Sequence, residues 1–279
     1  MNTLIEMIRD AQSRLSDLDT ARLDTEILMC HAMGINRSEI YTRTDRPVSV
    51  GDRQRFDRLV DKRARHYPVA YLTGRREFWS REFFVDEHTL IPRPETEHLV
   101  EAALGLIPDD RPCNILDLGT GCGAIAITIA SERPDCNLIA TDHCQHALAV
   151  AKINASHHHT DNVIFIRCNW LTGFAQTFDF ILSNPPYIKH NDPHLKTGEI
   201  QHEPQQALVA GDDGLDCIRK IICQAPGYLA KNGWLLLEHG FEQGQQVRGI
   251  LETAGFDQVA TRQDYAGLDR ISLGRWCYE

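Results

Sequence analysis

A mostly parallel, doubly wound α/β sheet preceded by a small helical bundle is the fold class this sequence predicts. Three observations carry that expectation. Residues from about 95 onward alternate short apolar runs with helical segments, the first seventy or so place apolar residues at helical spacing, and the stretch between them turns to aromatic and β-branched residues around a short polar turn. A chain of 279 residues has room for two compact domains.

In the first part, Leu4, Ile8 and Leu15 fall near one helical face. Leu23, Ile27, Leu28 and His31 repeat the spacing, and Gly34 offers a stop signal. Short connections such as RTDRPVSVGD separate further helical pieces, which predicts a bundle over residues 1–74. The run RQRFDRLVDKRAR, Arg53 to Arg65, reads either as a partner-facing patch or as a solvated helix face with i,i+4 pairs. Phe78 and Trp79, then Ser80-Arg81-Glu82, then Phe83, Phe84 and Val85 predict a β-hairpin within a linker over 75–92. Over 93–279, strands are expected at 114–118, 138–141, 163–167, 178–182 and 234–238, with helices between them. In such sheets ligands bind beyond the carboxyl ends of the strands, so chemistry is sought immediately after each one.

Composition limits the function classes. The chain is 42% hydrophobic and 24% charged, as in soluble globular proteins, and carries a net charge of −10. Residues 1–80 hold 14 Lys and Arg against 12 Asp and Glu, so the acidity lies in the larger C-terminal part. A protein that coats nucleic acid needs a clustered basic surface, so direct nucleic-acid binding is not expected. No apolar run approaches the roughly 20 residues that span a bilayer, and MNTLIEMIRDAQSRL lacks the basic start of a signal peptide. A cytoplasmic protein without membrane association is expected, its nine scattered cysteines reduced.

After the first strand of the sheet comes Asp117-Leu118-Gly119-Thr120-Gly121-Cys122-Gly123, then the apolar helix Ala124 to Ala130. Glycines let the backbone turn sharply and let a ligand lie against it. Gly119, Gly121 and Ala124 also satisfy a G-x-G-x-x-A dinucleotide pattern, so this turn alone leaves the ligand open. Asp142, at the end of the next strand, suits the two hydroxyls of a ribose. The fourth strand runs into SNPPYIKH, in which two prolines make the turn rigid. His157-His158-His159 reads as a solvated loop and not as a metal site, because three consecutive histidines cannot all face one ion; no metal is expected. Glu203-Pro204, Asp213-Gly214 and Glu238-His239-Gly240 read as turns without assigned function.

Asp117-x-Gly119-x-Gly121-x-Gly123 resembles the first motif of Rossmann-like methyltransferases, whose pocket holds S-adenosyl-L-methionine and releases S-adenosyl-L-homocysteine. With Asn184-Pro185-Pro186-Tyr187 the resemblance narrows to enzymes that methylate a planar nitrogen. PVAYLTG at Pro68 to Gly74, LIPRPETE at Leu90 to Glu97, LDLGTGCGAIA, NPPYI, EPQQALVAGDDGL at Glu203 to Leu215 and the tail GFDQVATRQDYAGLDR make the chain similar to the peptide chain release factor glutamine methyltransferases of the HemK/PrmC type. That resemblance implies a helical domain that recognises the release factor and a catalytic domain that methylates the glutamine of a Gly-Gly-Gln motif, modulating translation termination. It implies a cofactor site of Asp117, Gly119, Thr120, Gly121, Cys122, Gly123, Asp142, Asn169, Trp170 and Asn184, with Trp170 and Asn169 near the adenine. Catalysis and substrate binding fall to Asn184, Pro185, Pro186 and Tyr187: the Asn184 side-chain oxygen and the Pro185 carbonyl accept the two N–H bonds of the target amide, and Tyr187 packs on it. Release factors are the expected partners of a monomer. Glutamine methylation of a large-subunit ribosomal protein and amino-methylation of adenine or guanine in nucleic acid are the alternatives. Ser80-Arg81-Glu82 departs from the family, whose members usually carry glycine there, as does Asn169, where many have aspartate.

Overall fold

The computed structural model describes residues 3–278, which divide into two units: the chain up to Arg75 together with His194–His202, and Arg76–Pro193 together with the chain from Glu203 on. The segment His194–His202 lies far along the sequence from the helices it joins, so the first unit is not one continuous stretch.

The first unit contains α1 (Leu4–Arg14), α2 (Ala21–Met33), α3 (Arg37–Thr42), α4 (Val50–Arg63) and α5 (Val69–Thr73). Thr3 and Glu6 form a capping box at the start of α1, each side chain accepting the other's backbone N–H. Asn36 and Glu39 do the same for α3. Leu4, Ile8, Leu15, Leu28, Met29, Phe56 and Val60 form the core. On α2 the buried face differs from the expected one: Leu23 and His31 are exposed, while Asp24 and Glu26 are buried. The reason is pairing, since buried carboxylates are tolerated when they meet cations. Arg63 Nε donates to Asp24 at 2.7 Å, and Glu26 accepts from Arg37 Nε at 2.6 Å and Arg22 Nε at 3.1 Å. Arg63 also reaches Glu199 at 2.8 Å. Most of the Arg53 to Arg65 run is an exposed helix face, with Arg53 beside Asp57 at i,i+4.

β1 (Arg75–Phe78) and β2 (Arg81–Phe84) form a hairpin whose turn residues Trp79 and Ser80 both have positive φ, 54° and 55°. Two-residue hairpin turns require this geometry and glycine takes it most cheaply. Glu97 holds it here, accepting from the Trp79 N–H at 2.7 Å. Then follow α6 (Glu97–Leu104), β3 (Asn114–Leu118), α7 (Ala124–Glu132), β4 (Asn137–Asp142), α8 (Gln145–His158), β5 (Val163–Arg167), β6 (Phe178–Ser183), α9 (Asp216–Gln224), β7 (Leu229–Glu238), α10 (Gly244–Thr253), β8 (Asp257–Gln263) and β9 (Asp269–Trp276). The seven-stranded sheet has the order β5-β4-β3-β6-β7-β9-β8, parallel from β5 to β7, with β9 antiparallel to both β7 and β8. β7 begins five residues before the apolar run that marks it, and the tail GFDQVATRQDYAGLDR forms most of the closing antiparallel pair. The histidine triplet is not a loop: His157 and His158 close α8, His159 caps it at φ 55°, and His158 packs on Phe83.

The strand order reverses between β3 and β6, where Leu118 lies in register with Ser183. The glycine-rich turn and the proline pair therefore leave the sheet side by side at its switch point.

Candidate active site

Two sets of groups meet at this switch point. On one side, Gly119, Gly121 and Gly123 have φ of 71°, 56° and 89°, a conformation that only glycine adopts without strain. A Cβ on Gly119 would lie 3.7 Å from the Trp170 ring, and one on Gly123 would meet Ile127 Cδ1 at 2.6 Å. Thr120 donates to Asp117 Oδ2 at 2.6 Å, while Asp117 Oδ1 is buried with no hydrogen-bond partner. Burial pushes the Asp117 carboxyl up to about 7; the Thr120 hydroxyl and the Ala126 N–H pull it down, and the Asp142 charge raises it. Asp142 is clamped by two backbone donors, Gly121 N–H at 3.0 Å and Cys144 N–H at 2.8 Å. A pyrophosphate at this turn would need such N–H groups free. Their donation to a carboxylate, with Asp117 beside them, disfavours the dinucleotide reading of the glycine pattern.

Cys122 turns inward. Its thiol is buried and pushed up to about 12 by that burial, and its carbonyl accepts from Asn154 Nδ2 at 2.8 Å. Asn154 also bonds both the N–H and the carbonyl of Phe84, at 2.7 and 2.9 Å, tying β2 to the glycine turn. Trp170, at φ 54°, is half-buried against the core beside Gly119. The Asn169 side chain is exposed, and its oxygen accepts from Lys220 Nζ at 3.3 Å.

On the other side, Ser183 Oγ donates to the Leu118 carbonyl at 2.8 Å and fixes β6 to the end of β3. Asn184 Nδ2 donates to Thr96 Oγ1 at 3.1 Å, an orientation that directs Oδ1 away as an acceptor. Pro185 is buried, and the Tyr187 hydroxyl donates to Glu238 Oε1 at 3.3 Å. Tyr187 is held protonated by burial and by the neighbouring Glu238 charge. The Tyr187 carbonyl accepts from Gln243 Nε2 at 3.1 Å, and Ile188 bridges to Val209. Glycine is required at Gly214, where φ is 78° and a Cβ would meet the Tyr187 carbonyl oxygen at 2.3 Å. Arg93 pairs with buried Glu203, which also accepts the Ile91 N–H at 3.2 Å, so the LIPRPETE and EPQQALV segments are cross-linked.

The structure thus gathers Asp117, Gly119, Thr120, Gly121, Gly123, Asp142 and Trp170 at one half of the switch point and Asn184, Pro185 and Tyr187 at the other. Thr96, Glu203, Glu238 and Gln243 support the second half, and the sequence assigns a role to none of them. Glu203 lies in a bend, as expected, but is buried and bonded, and Glu238 is the last residue of β7 and not part of a turn.

The PrmC N-terminal domain model matches residues 6–74, and the methyltransferase small domain model matches residues 99–211. The release factor glutamine methyltransferase of Escherichia coli K12 is 45% identical over 270 residues, covering 96% of this chain and 97% of that protein. That of Pseudomonas aeruginosa is 46% identical over 277 residues, covering 99% of each. This chain belongs to the release factor glutamine methyltransferase family. Among solved structures, the hMettl16 catalytic domain in complex with an RNA hairpin superposes with a TM-score of 0.58 at 17% identity, covering 79% of this chain and 82% of that one. A methyltransferase from Pyrococcus furiosus gives 0.54 at 16% identity, covering 72% and 91%. These two share the fold. No helix among the described residues of this family member is long and apolar enough to cross a membrane.

Proposed function

We propose that this protein transfers a methyl group from S-adenosyl-L-methionine to the side-chain amide nitrogen of the Gly-Gly-Gln glutamine in peptide chain release factors. The observation that carries this reading is the orientation of the Asn184 amide. Its Nδ2 donates to Thr96, which turns Oδ1 away from that contact as an acceptor, and the next residue, Pro185, supplies a backbone carbonyl as a second one. A target NH₂ has two N–H bonds to donate, so a pair of fixed acceptors suits it.

The other half of the site fits the cofactor. An unpartnered buried carboxylate oxygen on Asp117 suits a cationic ligand, Asp142 can accept from ribose hydroxyls, and Trp170 beside Gly119 offers a flat face to a base. When bound, the cofactor supplies a methyl carbon on a sulfonium centre, which leaves as S-adenosyl-L-homocysteine. The protein's part is alignment. An amide nitrogen is a poor nucleophile because its lone pair is delocalised. Two neutral hydrogen bonds contribute only about 0.5–1.5 kcal/mol each, whereas positioning can supply about 7–11 kcal/mol. The rigid proline pair, the Ser183 tether and the Gln243 clamp keep both acceptors aimed at one point.

The helical unit is the release-factor-recognition element in this reading, and the enzyme works as a cytoplasmic monomer. The names of the relatives, at 45% identity over nearly full length, favour release factors over ribosomal protein or nucleic acid. Incubating the purified protein with methyl-labelled cofactor and, separately, release factor, ribosomal protein and nucleic acid tests the proposal. Label on the release-factor glutamine is expected; label in nucleic acid with none on release factor would overturn it.

A further inference from the structure

We propose that His239 is a positioning residue for the substrate turn, acting through Gly240 and the Gln243 amide on the Tyr187 carbonyl. This role rests on the methyl-transfer reading above. His239 directly follows β7 and is fully buried, as is Ser272 on β9, and Gln243 is nearly so. Their polar atoms form one continuous chain. Arg248 Nη1 on α10 meets Thr261 Oγ1 at 2.7 Å, the Thr261 and Ser272 hydroxyls meet at 2.8 Å, and Ser272 Oγ lies 2.8 Å from His239 Nε2. On the other side of the ring, His239 Nδ1 lies 2.9 Å from the Gly240 carbonyl oxygen. The Gly240 N–H donates to Gln243 Oε1 at 2.8 Å, and Gln243 Nε2 donates to the Tyr187 carbonyl at 3.1 Å. The sheet register assembles the far end of the chain, since Ser272 of β9 sits between Leu237 of β7 and Thr261 of β8.

Both ends of the chain are fixed. A guanidinium can only donate and a backbone carbonyl can only accept, so Arg248 donates to Thr261, and His239 Nδ1 carries a proton toward Gly240. In a neutral ring Nε2 then accepts. Ser272 gives it its single proton, and Thr261 gives its own to Ser272. Burial pulls the His239 pKa down, with Arg270 and Arg248 acting the same way against the Gly240 carbonyl and Asp269, and the net fall favours the neutral ring. The Gln243 amide has one orientation for the same reason. The Gly240 N–H needs an acceptor, whereas the carbonyls of Tyr187, Gly214 and Asp213, at 3.1, 3.3 and 3.4 Å from Nε2, need donors. The Gly240 carbonyl also accepts the Gln243 N–H at 2.9 Å, so His239 and the N-cap residue of α10 hold the same peptide. Glycines leave the room required: a Cβ on Gly240 would lie 3.1 Å from Gln243 Oε1, and one on Gly214 would lie 2.8 Å from Gln243 Nε2. Tyr187 directly follows Asn184-Pro185-Pro186. A displaced Tyr187 carbonyl carries that turn with it, because the two proline rings stiffen the backbone between them.

Steady-state transfer to release factor, with calorimetric binding of S-adenosyl-L-homocysteine and thermal melts in parallel, tests this. Gln243→Glu keeps the size of the side chain and the acceptor for Gly240 but loses the donors to the carbonyls. His239→Phe keeps a ring but breaks the link between Ser272 and Gly240. Each is expected to lower kcat about tenfold to hundredfold, the scale on which a small misplacement of reacting groups acts. KM for release factor and the calorimetric affinity should stay near wild type. The double variant should be no slower than the slower single one, because both changes act through one amide. Ser272→Ala should lower kcat in the same way, and Ser272→Thr, which keeps the hydroxyl, should recover most of that loss. A wild-type kcat in Gln243→Glu would overturn the inference, as would losses that multiply in the double variant, cofactor affinity that falls as far as kcat, or losses that follow melting temperature alone. Should the variants at His239 or Gln243 fail to fold, the two Ser272 variants decide, and a wild-type kcat in Ser272→Ala overturns the inference. A wild-type enzyme that leaves release factor unlabelled would overturn the functional reading and this inference together, whereas an active wild type with indifferent variants overturns only the inference.

Discussion

Replacing Asn184 by alanine separates alignment of the substrate from binding of the cofactor. The substitution removes one of two acceptors and leaves the Thr96 hydroxyl without the amide that donates to it at 3.1 Å. One neutral hydrogen bond would account for only about 0.5–1.5 kcal/mol. The clamp acts on a preorganised reacting group, however, and removing one such polar group from an active site costs about 2.7–4 kcal/mol. At about 1.4 kcal/mol per tenfold, turnover should fall roughly 10²- to 10³-fold. The Pro185 carbonyl and the Ser183 tether to Leu118 survive the change, so the loss stops short of complete. Single-turnover transfer to release factor measures the chemical step, and calorimetry with S-adenosyl-L-homocysteine measures the cofactor half, which should stay close to wild type. Lost cofactor affinity with single-turnover methylation intact would refute the acceptor role.

Asp142→Ala should do the reverse: it removes the proposed ribose acceptor and orphans the Gly121 and Cys144 N–H groups, so calorimetric cofactor affinity should fall most. Unchanged affinity would contradict the ribose assignment. Gly214→Ala places a Cβ 2.3 Å from the Tyr187 carbonyl oxygen at positive φ; the left-handed backbone alone costs about 1–2 kcal/mol, so the melting temperature should drop by several degrees and turnover with it. Arg63→Met leaves Asp24 buried without its cation, which should cost about 3–5 kcal/mol in urea unfolding followed by helical signal. Asp117 keeps its proton in the native state up to about 7 but loses it near 3.8 when unfolded. Unfolding between those values releases a proton, so this group's contribution to stability falls as pH rises from 4 to 7, a fall that Asp117→Asn should lack in pH-dependent melts.

How much was legible in the sequence follows from how local each feature is. The glycine turn and Asn184-Pro185-Pro186-Tyr187 are conspicuous because their roles depend on backbone conformation, which a few neighbouring residues dictate. Thr96 meets Asn184 across 88 residues, and Glu238 meets Tyr187 across 51, so nothing near either marks it. β3, β4 and β6 stand out as apolar runs because most of their residues are buried, whereas β8, reading DQVATRQ, is largely exposed and has no such run. On α2, helical spacing selects Leu23 and His31, but pairing across the bundle to Arg63 and Arg37 decides which face is buried. Spacing carries no information about a partner of opposite charge.

Two of the site's buried carboxyls, Asp117 and Glu238, are held close to neutral pH. Asp117 and Glu238 both ionise near 7 because burial opposes their charge. Their ionisation serves different partners. A cation arriving beside Asp117 Oδ1 favours the carboxylate, so cofactor binding between pH 6 and 7 should release a proton, seen as a binding enthalpy that varies with buffer and that Asp117→Asn abolishes. Glu238 instead accepts from the Tyr187 hydroxyl. Acid should therefore weaken cofactor affinity through Asp117, and measuring affinity and proton release across one pH range in wild type and Asp117→Asn assigns the effect to this carboxyl.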